Sequence, residues 1–220
     1  MKRFSLRYLL LTARLDQLWF PAAFWGLFVI IGLMRGPAYI FDSTRSYIGA
    51  CVPLVAGIMA AYAVLDDPAL ELRFAAPLRA APMLLERLAP VFGLQAGLAL
   101  AYQAFGLLLG LELSQFGSWW DAQLAWLVPT VALLAFGSLA ALLAAQTATG
   151  AVLAGLLWIV QLVARGWFAA HPQGQYLLIF MSPFMNDHPA LRANQLTLGL
   201  VSALCFWLCW RLFIRQERYI

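Results

Sequence analysis

Long apolar stretches alternate with short polar ones along this chain, and six are prominent: approximately Leu18–Met34, Tyr47–Leu65, Leu88–Leu111, Leu124–Thr147, Ala151–Ala169 and Leu196–Ile214. Each is close to the roughly 20 residues that a helix needs to cross a bilayer. The runs are continuous, unlike the ten-residue alternating strands of a membrane barrel, so the pattern predicts an all-α integral membrane protein with six transmembrane helices. Ahead of the first run, Phe4, Tyr8, Leu11 and Leu15 share one helical face and Arg3, Arg7 and Arg14 another. That predicts an amphipathic helix over 1–17, lying along the interface. A signal peptide is disfavoured, because Arg14 and Asp16 interrupt the apolar run and no small-residue cleavage site follows.

Two connections are long enough to carry structure of their own. Residues 66–87 hold Asp66, Asp67, Glu71, Arg73, Arg79, Glu86 and Arg87. Asp67-Pro68 is a helix start, an acid at the cap followed by proline at the first helical position. Pro77 stops or kinks that short helix, and Pro82 opens the next one. Residues 170–195 contain an apolar piece, Tyr176–Met181, too short to span and broken up by Pro172, Pro183 and Pro189. It reads as a re-entrant or interfacial element.

Composition agrees with the pattern. Of 220 residues, 64% are hydrophobic and 11% charged, against about 45–50% and about 25% in soluble domains. Six crossings leave no room for a second soluble domain, so 1–220 reads as a single transmembrane domain. The net charge of +4 lies beside apolar runs, which points to anionic lipid and away from nucleic acid. Basic residues also orient the chain. With both termini cytoplasmic, ten bases fall inside (Lys2, Arg3, Arg7, Arg14, Arg73, Arg79, Arg87, Arg211, Arg215, Arg218) and four outside (Arg35, Arg45, Arg165, Arg192). The expected location is the cell (inner, cytoplasmic) membrane. Trp119, Trp120, Trp167 and Trp210 fit interfacial belts.

Most site chemistries are disfavoured. A Walker phosphate loop needs a lysine, and the only lysine is Lys2. Ion-coupled carriers place ionisable groups within the membrane; the six runs contain no Asp, Glu, Lys or His, and Arg165 and Arg211 lie near run ends. Glu112 and Asp121 read as solvated loop acids. His171 and His188 read as turn residues, with no HExxH pattern to make a metal site. Cys51, Cys205 and Cys209 lie in apolar segments without a CxxC, as packing residues. No GxSxG occurs, and an enzyme is not expected.

The third run is more informative. Gln95, Ala99, Gln103, Gly106 and Gly110 fall on one helical face, and Gly93–Gly97 and Gly106–Gly110 are GxxxG pairs that permit close helix approach. Internal packing, a dimer seam and the wall of a translocation route are all open readings. Gln146, Thr147 and Thr149 either continue a polar lining or solvate a helix end.

The segment Asp66-Asp67-Pro68-Ala69-Leu70-Glu71-Leu72-Arg73-Phe74-Ala75-Ala76-Pro77, leading to Glu86-Arg87, resembles the second cytoplasmic segment of ABC-2-type exporter permeases. In that family an acid-rich Gly-x-x-Glu helix followed by proline docks into an ATPase subunit; here Pro68-Ala69 replaces the glycine. The whole layout is similar too, including Ser182-Pro183-Phe184 between the fifth and sixth runs. The resemblance implies a permease that moves an amphipathic lipid, peptide or drug-like substrate, with Asp66, Asp67, Glu71, Arg73, Pro77 and Arg79 coupling it to a cytoplasmic ABC ATPase. It further implies a second permease copy, and ATP and Mg bound by the ATPase, with no cofactor on this chain. The alternatives are a passive or ion-coupled carrier or channel, and an intramembrane assembly factor or enzyme handling lipid or haem.

Overall fold

The computed structural model describes residues 15–65 and 80–214. The expected interfacial helix over 1–17, apart from its last three residues, and most of the coupling segment over 66–87 lie outside the described residues. The elements are α1 (Leu15–Arg35), α2 (Ile40–Ser46), α3 (Val52–Leu65), α4 (Ala80–Leu108), α5 (Trp119–Ala144), α6 (Thr147–Val163), α7 (Arg165–Ala170), α8 (Met181–Phe184) and α9 (Leu191–Ile214). No strand occurs among the described residues. Among the described residues, five helical stretches are long and apolar enough to cross a membrane: Leu18–Arg35, Pro37–Leu65, Ala81–Leu108, Trp119–Ala144 and Leu191–Ile214. The fifth expected run is shorter, the 17-residue α6, and is followed by a break at Ala164 before α7.

Local chemistry sets the ends. α5 begins five residues ahead of its expected start because Ser118 and Asp121 form a reciprocal capping box: the Ser118 hydroxyl accepts from the Asp121 N–H at 3.2 Å and the Asp121 carboxylate from the Ser118 N–H at 3.0 Å. Asp121 is thus a helix cap and not a free loop acid. α4 stops at Leu108, where Gly110 takes φ +91°. The Leu111 N–H reaches the Gly106 carbonyl (2.9 Å) and the Gly110 N–H the Leu107 carbonyl (3.1 Å), the paired bonds of a Schellman ending. Between α2 and α3, Tyr47–Cys51 forms a π-helical turn. Pro53, two residues on, has no N–H for the Gly49 carbonyl, and its ring crowds that carbonyl, which favours the wider turn.

Helices α3 and α5 form the centre. Of an 18-residue stretch within Pro37–Leu65, 72% is buried, and within Trp119–Ala144, 61%; within Leu18–Arg35 and Leu191–Ile214 the figures are 11% and 22%. A Cβ on Gly137 would lie 2.1 Å from the Gly57 carbonyl oxygen, so α3 and α5 meet backbone to backbone. α6 joins them, with a Cβ on Gly150 reaching 2.6 Å from Ala141 and the Ala154 methyl lying over Gly57. The largest apolar cluster runs from Tyr47 through Val55, Val64 and Leu88 to Trp126 and Phe213.

Candidate functional site

The buried face of α4 carries two of the bundle's buried amides, Gln95 and Gln103. Gln95 (1% exposed), Ala99 and Gln103 (5%) all point inward, as does Gly106. The Gln95 amide Nε2 lies 3.3 Å from the Met59 sulfur, a weak acceptor. One turn above Ala99, the Tyr102 hydroxyl donates to the Phe28 carbonyl at 2.9 Å, and its ring packs on Tyr47 at 4.5 Å between centroids. Gln103 Oε1 accepts from Gln123 Nε2, and Gln123 Oε1 accepts from the Trp126 indole, both at 2.9 Å. Gly110 is the exception to the expected face: it lies beyond the helix, because its positive φ is what ends α4.

These groups belong to a membrane interior yet are not all satisfied. Thr130, Ser138 and Ser202 donate to carbonyls four residues back in their own helices and so cost little. By contrast Ser43 Oγ, Thr44 Oγ1 and Gln103 Nε2 are buried with no hydrogen-bond partner among the described residues. Thr44 Oγ1 sits 3.2 Å from the place a Cβ on Gly106 would occupy, one helical turn from Gln103. Neutral amide and hydroxyl capacity is therefore concentrated between α2 and α4, where a buried, unmatched polar group ordinarily costs about 1–3 kcal/mol.

Beside this layer the connection 171–190 folds back into the bundle. Leu178 to Pro183 are all buried. Ser182, Pro183 and Phe184 each have a distinct seat. Ser182 Oγ accepts from Gln195 Nε2 at 2.8 Å. Pro183 fills the notch left by Gly49 in the π-helical turn, where a Cβ would come within 2.3 Å of it. Phe184 packs edge-on to Phe180, with the guanidiniums of Arg45 and Arg165 at 5.4 and 5.3 Å from its centroid. The Trp158 indole braces the same turn by donating to the Ala50 carbonyl at 2.8 Å.

Two amides latch the folded-back connection. Gln161 Oε1 accepts from the Ile179 N–H (3.1 Å), and Asn194 Nδ2 donates to the Gln175 and Leu178 carbonyls (2.8 and 2.9 Å). These supply partners for irregular backbone that lipid would leave unpaired. His171 Nδ1 accepts from the N–H groups of Gln173 and Gly174, and His188 Nδ1 from Ala190 N–H, so both shape turns. At the rim Arg192 binds Asp121 at 2.7 Å. Gln161 and Asn194 escaped notice in the sequence; the available signal was a lone amide within or beside an otherwise apolar run.

At the opposite end, where α3 stops and α4 starts, Arg87 is buried, donates to the Val64 carbonyl and lies 5.6 Å above the Phe213 ring. It ties α3, α4 and α9 together beside the chain that joins Leu65 to Ala80. The coupling candidates on that chain, Asp66, Asp67, Glu71, Arg73, Pro77 and Arg79, lie outside the described residues. Thr149 Oγ1 bonds Gln146 Oε1 at 2.5 Å where α6 starts, so these polar groups serve a helix end.

Among the described residues, no three His, Cys, Asp or Glu side chains converge as a metal site. The chemistry the described residues offer is hydrogen bonding by neutral groups inside a helical bundle, with arginines at its two ends. Set against protein-family models, curated proteins and solved structures, the chain matches none of them.

Proposed function

We propose that this chain is the transmembrane permease subunit of an ABC-type exporter, moving an amphipathic substrate with ATP hydrolysed by a separate ATPase. In this reading the chain crosses the membrane six times, α6 and α7 together making the fifth pass, with both termini and the segment 66–79 in the cytoplasm. The observation that carries the proposal is the Arg87 clamp. Both helices that bracket the acidic segment are held to each other, and to α9, by one buried side chain. A load applied to that segment therefore reaches α4, the helix whose inward face bears Gln95 and Gln103, instead of dissipating in a loose loop. Rocking of packed helices by differential binding of a partner is the general form of such a switch.

Two further points support it. A chain whose only lysine is Lys2 has no Walker loop of its own. The unmatched hydroxyls and amide between α2 and α4 suit a substrate with neutral hydrogen-bonding groups on an apolar body. In this reading two copies, or this chain and a related permease, flank the route. The test is purification from native membranes followed by transport. A stoichiometric Walker-containing ATPase should co-purify, and Glu71→Arg should abolish ATP-driven transport while membrane insertion persists. Unimpaired transport by Glu71→Arg, or ATP-independent transport by the purified chain alone, defeats the proposal.

A further inference from the structure

We infer that Arg45 and Arg165, converging on the ring of Phe184, form a binding site for a phosphate anion at the end of the bundle closed by the 171–190 connection. The two guanidinium carbons stand 5.4 and 5.3 Å from one ring centroid, so they are no farther apart than the sum of those distances. The ring attracts each cation through its quadrupole but supplies no net charge. Asp42 neutralises part of Arg45, bonding Nη2 at 2.9 Å. Arg45 Nε is buried and has no acceptor among the described residues. Arg165 is exposed and has no acidic partner among the described residues, and Asp187, three residues beyond Phe184, makes no ion pair there. Two arginines therefore face one apolar ring with one carboxylate between them.

Location selects the ligand. Trp167, two residues beyond Arg165, is 61% exposed, and Trp119, Trp120 and Tyr39 are likewise exposed at this end, as aromatic side chains are at the headgroup level of a bilayer. Phosphate is the abundant anion at that depth, and guanidinium forks match its oxygens in pairs. The same oxyanion chemistry is offered by a lipid phosphodiester and by inorganic phosphate. Arg45 belongs to α2, where it also lies 5.3 Å from the Phe41 ring, and reaches the connection through Phe184, so the bound anion would brace the folded-back connection against that helix.

The test uses the full chain in detergent, without any ATPase, so its failure leaves the exporter reading untouched. Retention of phosphatidylglycerol is measured by native mass spectrometry, with inorganic phosphate as competitor. Arg165→Gln and Arg45→Gln should each lower retention about fivefold, as the loss of one interfacial arginine implies. Arg35→Gln, at an arginine stacked on Tyr39, should leave it unchanged. Displacement by phosphate with the same arginine dependence identifies free phosphate as a ligand; retention that phosphate does not disturb identifies the headgroup. Arg165 is exposed, so its variant carries the test even if Arg45→Gln fails to fold. Equal retention by wild type and Arg165→Gln, or an equal loss in Arg35→Gln, overturns the inference.

Discussion

The seam between α3 and α5 and the outward face of α4 are both built on glycine, yet they behave as opposites. At the seam, Gly57 and Gly137 bring two backbones so close that no side chain fits between them. On α4, Gly93 and Gly97 have nothing near where a Cβ would be, and they continue through Ala101 and Ala104 as an exposed stripe. Only the second pair forms a GxxxG motif with glycine at both ends. The remaining motif, Gly106–Gly110, is a helix stop: Gly110 supplies the positive φ, and Gly106 leaves space for Leu111 to fold back. Small residues permit close approach but do not command it; the partner helix decides.

The sharpest way to break this comparison is substitution at matched positions. Gly137→Leu should cost about 3 kcal/mol or more, because the added atoms meet the Gly57 backbone and not a movable side chain. Gly93→Leu should stay within about 0.5 kcal/mol in the isolated chain. Reversible unfolding in mixed micelles, followed by tryptophan fluorescence, measures both. A large cost at Gly93 in the membrane but not in the isolated chain would mean that another helix covers that face.

A second contrast lies within the folded-back connection, between its buried latch and its exposed rim. Asn194→Ala leaves the part-buried carbonyl of Gln175 and the buried carbonyl of Leu178 without their donor, and should cost about 2 kcal/mol. The loss should show as faster hydrogen exchange over 171–190, with helices α3 and α5 unaffected. Arg192→Gln at the rim removes an ion pair whose arginine side chain is 63% exposed, and should change stability by less than about 1 kcal/mol. If the rim variant loosened the connection as much as the latch variant, the division between them would fail.

Much of the architecture was legible beforehand, for particular reasons. Apolar runs announced helices because a bilayer interior admits little else, and Pro82 marked the opening turn of α4. Ser182, Pro183 and Phe184 lie in the proline-broken connection that the sequence marks as too short to span, and each has a specific seat. Less legible were the features that depend on distant partners. The early start of α5 rests on a capping box in which Asp121, by residue type alone a solvated loop acid, pairs with Ser118. The amide latch of Gln161 and Asn194, and the Arg87 clamp, join residues from separate helices, and local pattern carries no signal for such pairing.

The sequence by itself determined that this is a helical membrane protein without a Walker lysine, since both facts follow from residue type and run length alone. Tertiary structure alone decided which glycines touch, which face of α4 turns inward, and where Pro183 docks. The physical reason is that hydrophobic patterning separates membrane from water but not one apolar helix face from another. Within the bilayer that choice falls to van der Waals fit and a few buried hydrogen bonds, and those exist only once the helices meet.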